Sequence, residues 1–148
     1  MAEPDETIAK PSILVVDDEP ELLDELREAM LAAGWEVSTA SNAATACRCL
    51  EADDDIAVVL SDIRMPGMDG LCLAQRVGAR RGEAVATEVV LLTGHGVLDD
   101  AAKAARIGAF DLLSKPVGLK LLLDTTGRAY RSAVEKRRRE AARLATLP

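Results

Sequence analysis

A chain of 148 residues can form one domain with a sizeable core, and an apolar share of 49% separates it from disordered sequences. With one Trp, one Tyr and one Phe it has almost no platforms for stacking nucleic-acid bases. The net charge of −7 is unevenly spread: from Arg128 onward seven basic residues meet two acidic ones, whereas residues 1–127 hold eleven basic and twenty-three acidic. An acidic body of this kind does not bind DNA by counterion release, and the basic tail reads first as a solvated helix end.

The opening MAEPDETIAKPS is polar and acidic, unlike a secretion signal, and residues 1–11 are expected to form a flexible segment. The strand candidates that follow are Ile13–Val16, Trp35–Ala40, Ala57–Ser61, Glu88–Leu92 and Asp111–Ser114. ILVV, AVVL and EVVLL are nearly continuous apolar runs, the pattern of parallel strands covered on both faces. Between the first two strands, Leu22, Leu26 and Met30 make a helical stripe that Gly34 stops. Asn42 is a candidate N-cap for a helix over Ala43–Glu51, and Asp69 for one over Gly70–Arg80. A further helix runs from about Leu98 to Ile107, and a last one begins near Gly118. No apolar run approaches the ~20 residues of a membrane span, so the chain reads as cytoplasmic, with no membrane contact. Cys47, Cys49 and Cys72 have no metal-ligand spacing and read as reduced, buried thiols.

Five alternating strand–helix units point to an α/β fold with a doubly wound parallel sheet. Right-handed crossovers leave few topologies, and the flavodoxin-like order 2-1-3-4-5 suits this length. That order sets strands 1 and 3 side by side at the switch point, where ligands bind beyond the carboxyl ends.

Strand 1 runs into Asp17-Asp18-Glu19, and strand 3 into Ser61-Asp62. If the strands are neighbours, Asp17, Asp18 and Asp62 converge on one crevice. Two like charges about 4 Å apart cost about 4 kcal/mol even at an effective dielectric near 20. Such a cluster needs a cation, a proton or abundant water, and oxygen donors suit Mg²⁺ that completes its shell with phosphate. Thr93 ends strand 4 and Lys115 ends strand 5 in the same layer, a hydroxyl and an ammonium suited to phosphoryl oxygens. A carboxylate can itself act as a nucleophile and form an acyl phosphate, and Asp62 is best placed for that.

At this point the chain resembles the response-regulator receiver family of two-component signalling. The resemblance rests on ILVVDDEPELL, VVLSDIRMPGMDGL, VVLLTGHG and GAFDLLSKP, in order and each at a strand end. It implies that Asp62 accepts a phosphoryl group and that Asp17, Asp18, Asp62 and the backbone carbonyl of Arg64 hold Mg²⁺. It further implies that Thr93 and Lys115 contact the phosphoryl group and that Lys115-Pro116 is a cis peptide bond. The donor would be a histidine kinase or histidine phosphotransferase. The response would be a change of partner or self association, through a homodimer, a downstream effector or an output domain. The chain would catalyse only its own phosphorylation and dephosphorylation, and is to that extent not an enzyme.

His95, the single histidine, belongs to the TGHG loop and is not expected to carry phosphate. Many receivers have an aromatic residue three positions before the family lysine; here that position is Leu112, and Phe110 is a poor substitute. A haloacid-dehalogenase-type phosphatase needs D-x-D after its first strand, whereas Asp17 and Asp18 are adjacent and a helix follows at once. A receiver-like binding module that is never phosphorylated usually lacks an acid or the lysine, and all are present.

Domain bounds follow: a receiver domain over 12–133 and a basic helical extension over 134–148. Leu119, Leu122, Thr126, Ala129 and Ala133 recur at helical spacing, while Glu135 to Glu140 offers no apolar residue. The helix is therefore expected to leave the body after Ala133.

Overall fold

The computed structural model describes residues 10–148 apart from 66, 68, 95 and 96, with residues 80, 81 and 97 described by their backbone only. Among the described residues the order is β1 (Ser12–Val16), α1 (Pro20–Ala32), β2 (Glu36–Ala40), α2 (Ala43–Ala52), β3 (Val58–Asp62), α3 (Gly70–Arg81), β4 (Glu88–Thr93), α4 (Val97–Arg106), β5 (Asp111–Ser114) and α5 (Leu119–Ala145). The strands form one parallel sheet in the order β2-β1-β3-β4-β5, as the alternation of patterns predicts. Strand edges differ from the sequence reading by about a residue. Trp35, for example, precedes β2 and packs edge-on against Tyr130 of α5, with ring centroids 5.8 Å apart.

The near-continuous apolar runs have the expected cause. Leu14, Val16, Val59 and Leu91 project to one side, against Ala46 and Leu50 of α2, Leu73 and Val77 of α3, and Ala104 of α4. Their strand neighbours Ile13, Val15, Val58, Leu60, Val90 and Leu92 project to the other, against Leu26 and Met30 of α1 and Leu122, Ala129 and Ala133 of α5. Every residue of β1, β3 and β4 is buried, so a polar residue within them has to find a partner inside.

Local signals set the helix ends. Pro20 opens α1, where its missing N–H costs nothing, and Gly34 takes the left-handed conformation after it, at φ +96°. The Asn42 side chain accepts the Thr45 N–H at 2.8 Å to cap α2, and Asp69 accepts the Cys72 N–H at 2.9 Å to cap α3. The cysteines are free thiols but less buried than expected: Cys47 and Cys49 are half-buried and Cys72 is exposed.

The end of α5 differs from the sequence reading. The helix does not part from the body after Ala133. Lys136 pairs with Glu88 at 2.8 Å, and Ser132 donates to the same carboxylate. The adjacent Arg137 donates from Nε to the Ala86 carbonyl at 2.9 Å and from Nη2 to the Ile56 carbonyl at 3.0 Å. Polar groups thus fasten a stretch that has no apolar side chain to bury. Leu119 is exposed, and Thr125 joins the buried stripe instead.

Candidate functional site

Register brings the acids together. Val16 pairs with Ser61 across β1 and β3, and Asp62 pairs with Leu92 across β3 and β4. The next residue beyond Val16 is Asp17, which therefore emerges beside Asp62 at the carboxyl end of the sheet. One carboxylate oxygen from each of Asp17, Asp18 and Asp62 lies within 4.8 Å of the others. Asp17 and Asp62 are buried, and Asp18 is exposed.

The cluster is held by its own backbone. The Asp17 N–H donates to the Ala40 carbonyl at 3.1 Å, and Asp17 Oδ1 accepts the Glu19 N–H at 2.8 Å. Asp62 Oδ1 receives the Arg64 N–H at 3.3 Å. Opposite the acids stands Lys115, whose backbone N–H donates to the Thr93 carbonyl at 2.8 Å. Its Nζ lies 3.0 Å from Asp62 Oδ2, 3.7 Å from Asp17 Oδ2 and 3.9 Å from Glu19 Oε1. Lys115-Pro116 is a cis peptide bond, as the family resemblance implied.

Electrostatics follow from this packing. Burial raises the carboxyl pKa of Asp17; the Glu19 N–H and Lys115 pull it down, Asp62 and Glu19 push it up, and the balance is a raised value. Burial alone would lower the Lys115 pKa, but its hydrogen bond to Asp62 and the charges of Asp62, Asp17 and Glu19 outweigh that and raise it. Asp17 Oδ2 is buried without a hydrogen-bond donor among the described residues, since Lys115 at 3.7 Å is an ion-pair neighbour only. An orphaned carboxylate oxygen beside two further carboxylates fits a hard, oxygen-seeking divalent cation.

Gly70 does more than open a helix. It opens α3 with its N–H on the Ile63 carbonyl at 2.8 Å, and a Cβ there would overlap the Asp62 carbonyl oxygen. Glycine thus lets α3 press against the backbone that presents Asp62. At the switch position, Leu112 is half-buried and packs on the core side of α2, α3 and α4. Phe110 lies outside β5 and packs on the opposite side, beneath the Arg128 guanidinium, so the two do not share a face. His95 lies outside the described residues.

Thr93 is buried at the end of β4, but its hydroxyl is engaged: Oγ1 donates to Asp100 Oδ2 at 2.6 Å. Asp100, 1% exposed in the first turn of α4, also receives Arg64 Nη2 at 3.3 and 3.4 Å. The sequence reading missed Asp100 and the side chain of Arg64. A signal was present, because Asp100, Ala104 and Ile107 share one helical face and the last two are apolar. An acid on an inward stripe calls for a partner.

A doubly wound sheet with acids at its switch point and a lysine opposite defines a class of phosphoryl-handling α/β domain. Residues 13–126 match the family model of the response regulator receiver domain. The chain is 37% identical over 130 residues to the C4-dicarboxylate transport transcriptional regulatory protein DctD of Rhizobium meliloti, covering 88% of this chain and 26% of that one. It is 40% identical over 104 residues to the DNA-binding transcriptional regulator NtrC of Escherichia coli, covering 70% and 21%. The solved signal receiver domain of an HD domain-containing protein from Pseudomonas fluorescens superposes with a TM-score of 0.81 at 28% identity, covering 89% and 95%. A response regulator receiver domain from Clostridium thermocellum gives 0.74 at 31% identity, covering 86% and 97%. The chain belongs to the response regulator receiver domain family, and with it to the phosphoacceptor modules of two-component signalling. It spans about a quarter of the length of these two curated relatives. Among the described residues no helix is long and apolar enough to cross a membrane.

Proposed function

We propose that Asp62 is the phosphoacceptor of this receiver domain and that Asp17, Asp18, Asp62 and the Arg64 backbone carbonyl hold Mg²⁺. The observation that carries this reading is the convergence of three carboxylates within 4.8 Å, one with an orphaned buried oxygen, with the Lys115 ammonium beside the two buried ones. Bound there, Mg²⁺ would neutralise the carboxylates and the phosphoryl oxygens. The residues of the chain do the rest. An Asp62 carboxylate oxygen attacks the phosphorus of a phosphohistidine on a kinase or phosphotransferase. An O–P bond forms, the P–N bond breaks, and the imidazole leaves with the electron pair. Lys115 moves with the charge, from the carboxylate to the phosphoryl oxygens, and the Thr93 hydroxyl donates to another of them.

The domain spans 12–133, with 134–148 as a basic helical extension whose first turn is fastened by Lys136 and Arg137. Chemistry stops at the chain's own phosphorylation and dephosphorylation, in the cytoplasm. The output is altered association with a second copy, an effector or an output domain. The acidic body makes direct nucleic-acid binding by this chain a poor fit. The test is intact mass after incubation with acetyl phosphate and Mg²⁺. Wild type should gain one phosphoryl group and Asp62→Asn none; equal labelling of both would sink the assignment.

A further inference from the structure

Asp100 lies outside the phosphoacceptor cluster, yet it binds the one hydroxyl that the cluster needs. A carboxylate without its proton can only accept hydrogen bonds, so in the 2.6 Å contact with Asp100 Oδ2 Thr93 must be the donor. A hydroxyl has a single proton to give. While Thr93 donates to Asp100, it cannot donate to an oxygen of a phosphoryl group on Asp62. The contact is also not a loose surface pairing. Thr93 is fully buried and Asp100 is 1% exposed, so water does not readily replace either partner.

Three elements meet at Asp100. Thr93 comes from the end of β4, Asp100 from the first turn of α4, and Arg64 from the segment that follows β3. Arg64 links the two acids: its backbone N–H reaches Asp62 Oδ1, and its guanidinium reaches Asp100. Its side chain is 62% exposed, so it can follow Asp100 if that residue moves outward.

We propose that Asp100 is a positioning residue that holds Thr93 in the unphosphorylated conformation and competes with the phosphoryl group for its proton. This rests on the reading of Asp62 as phosphoacceptor. Phosphorylation then breaks the Thr93–Asp100 bond and leaves the buried carboxylate with Arg64 as its side-chain partner among the described residues. The unpaired acceptor capacity favours an outward shift of the first turn of α4 towards Arg64 and water. Leu98, two residues earlier and 89% exposed, moves with that turn, so the phosphorylation state reaches the surface there. The same competition makes the resting state harder to leave: Asp100 acts as a brake on activation.

The test uses beryllofluoride with Mg²⁺, an anion that occupies the phosphoryl position on a carboxylate, with affinity read by calorimetry on the full chain. Asp100→Ala should bind about tenfold tighter than wild type, and the isosteric Asp100→Asn, which keeps an acceptor oxygen without the charge, about threefold tighter. In a Thr93→Val background, which lacks the contested hydroxyl, Asp100→Ala should change affinity by less than about twofold. Unchanged or weaker binding by both Asp100 variants overturns the proposal, as does a gain that survives Thr93→Val. Asp62→Asn should abolish binding in every background. If it does not, the reading of Asp62 fails, whatever the Asp100 variants do.

Discussion

Lys115 sets its Nζ 3.0 Å from Asp62 Oδ2 and 3.7 Å from Asp17 Oδ2, which makes one ammonium a counter-charge shared by the two buried carboxylates of the cluster. The contact joins the end of β5 to the end of β3 across β4, so it exists only if the sheet has closed in the observed order. Its electrostatic consequence is the raised Lys115 pKa, achieved against the burial that would lower it.

Removing that charge should therefore have two opposite effects. Lys115→Met should destabilise the Mg²⁺-free domain by about 1–3 kcal/mol at neutral pH, because acids lose their partner. It should also tighten Mg²⁺ binding, because a competing cation has gone, while lowering the yield of phosphorylated protein. The sign of the pH dependence is fixed by the raised value. The Lys115 contribution is complete below the ordinary lysine value of 10.5 and is lost as pH rises through the folded-state value above it. Melting curves of both proteins across that alkaline range should converge. A constant difference would detach the stability effect from the ammonium.

Asp17 predicts the behaviour of the metal site. Its pKa is raised, chiefly by burial, so for this group the Mg²⁺-free fold gains stability as pH falls through the folded-state value. A cation binds the ionised form and works against the proton. At about a hundred times its Kd, Mg²⁺ should stabilise the domain by about 2.7 kcal/mol, or roughly 5–10 °C in Tm. That gain should shrink as the solution is acidified, beginning at a higher pH than an ordinary aspartate would allow. Thermal melts in MgCl₂ and in EDTA at several pH values check this. Equal melting temperatures in the two solutions at neutral pH would remove the metal from the site, and Asp17→Asn should abolish the gain.

Much of this site is legible in the sequence because parallel topology puts every strand's carboxyl end in one layer. Asp17, Asp62, Thr93 and Lys115 each end a strand or directly follow one, and that position alone brings them close. Asp100 is harder to see, since its partners depend on how α4 turns back over β4. Arg137 leaves no local trace at all. Its acceptors are main-chain carbonyls 51 and 81 residues away, and no periodicity in side-chain type records a bond to a carbonyl. The expectation that the helix detaches after Ala133 failed for this reason: it counted apolar side chains and took no account of polar anchoring.

Two glycines of α3 provide a paired test. A Cβ at Gly70 would overlap the Asp62 carbonyl and lie 3.0 Å from Ile63 Cα, backbone that can move only by displacing the acceptor. Gly78, in the same helix, has nothing within 4 Å of such a Cβ. Gly70→Ala should cost about 1–3 kcal/mol and slow phosphorylation by acetyl phosphate. Gly78→Ala should instead stabilise the domain by up to about 1 kcal/mol and leave phosphorylation unchanged. Chemical denaturation and the labelling rate of the two variants separate a site effect from a general helix effect. Normal labelling by Gly70→Ala would show that the close approach does not set the position of Asp62.

The end of α5 gives the last prediction. Arg137 caps carbonyls at the entrances to β3 and β4: Ala86 precedes β4, and Ile56, whose carbonyl also accepts the Thr87 hydroxyl at 2.8 Å, precedes β3. Burial pulls the guanidinium pKa down while Asp55, Asp54, Tyr130 and Asp53 push it up, and the net lowering reflects how far the group has left water. Both chains of contact run from one helical turn to the lower edge of the sheet, since Lys136 beside it pairs with Glu88 at the start of β4. Arg137→Ala should cost about 1–3 kcal/mol by leaving the Ala86 carbonyl without that donor. Amide exchange should show the same thing locally. In wild type, protection should extend through about Arg137 and fall beyond it, where the residues after Glu140 are exposed. In Arg137→Ala it should retreat towards Ala133, the last residue of the buried stripe. Equal exchange profiles in the two proteins would mean that Lys136 and Ser132 hold the turn without Arg137.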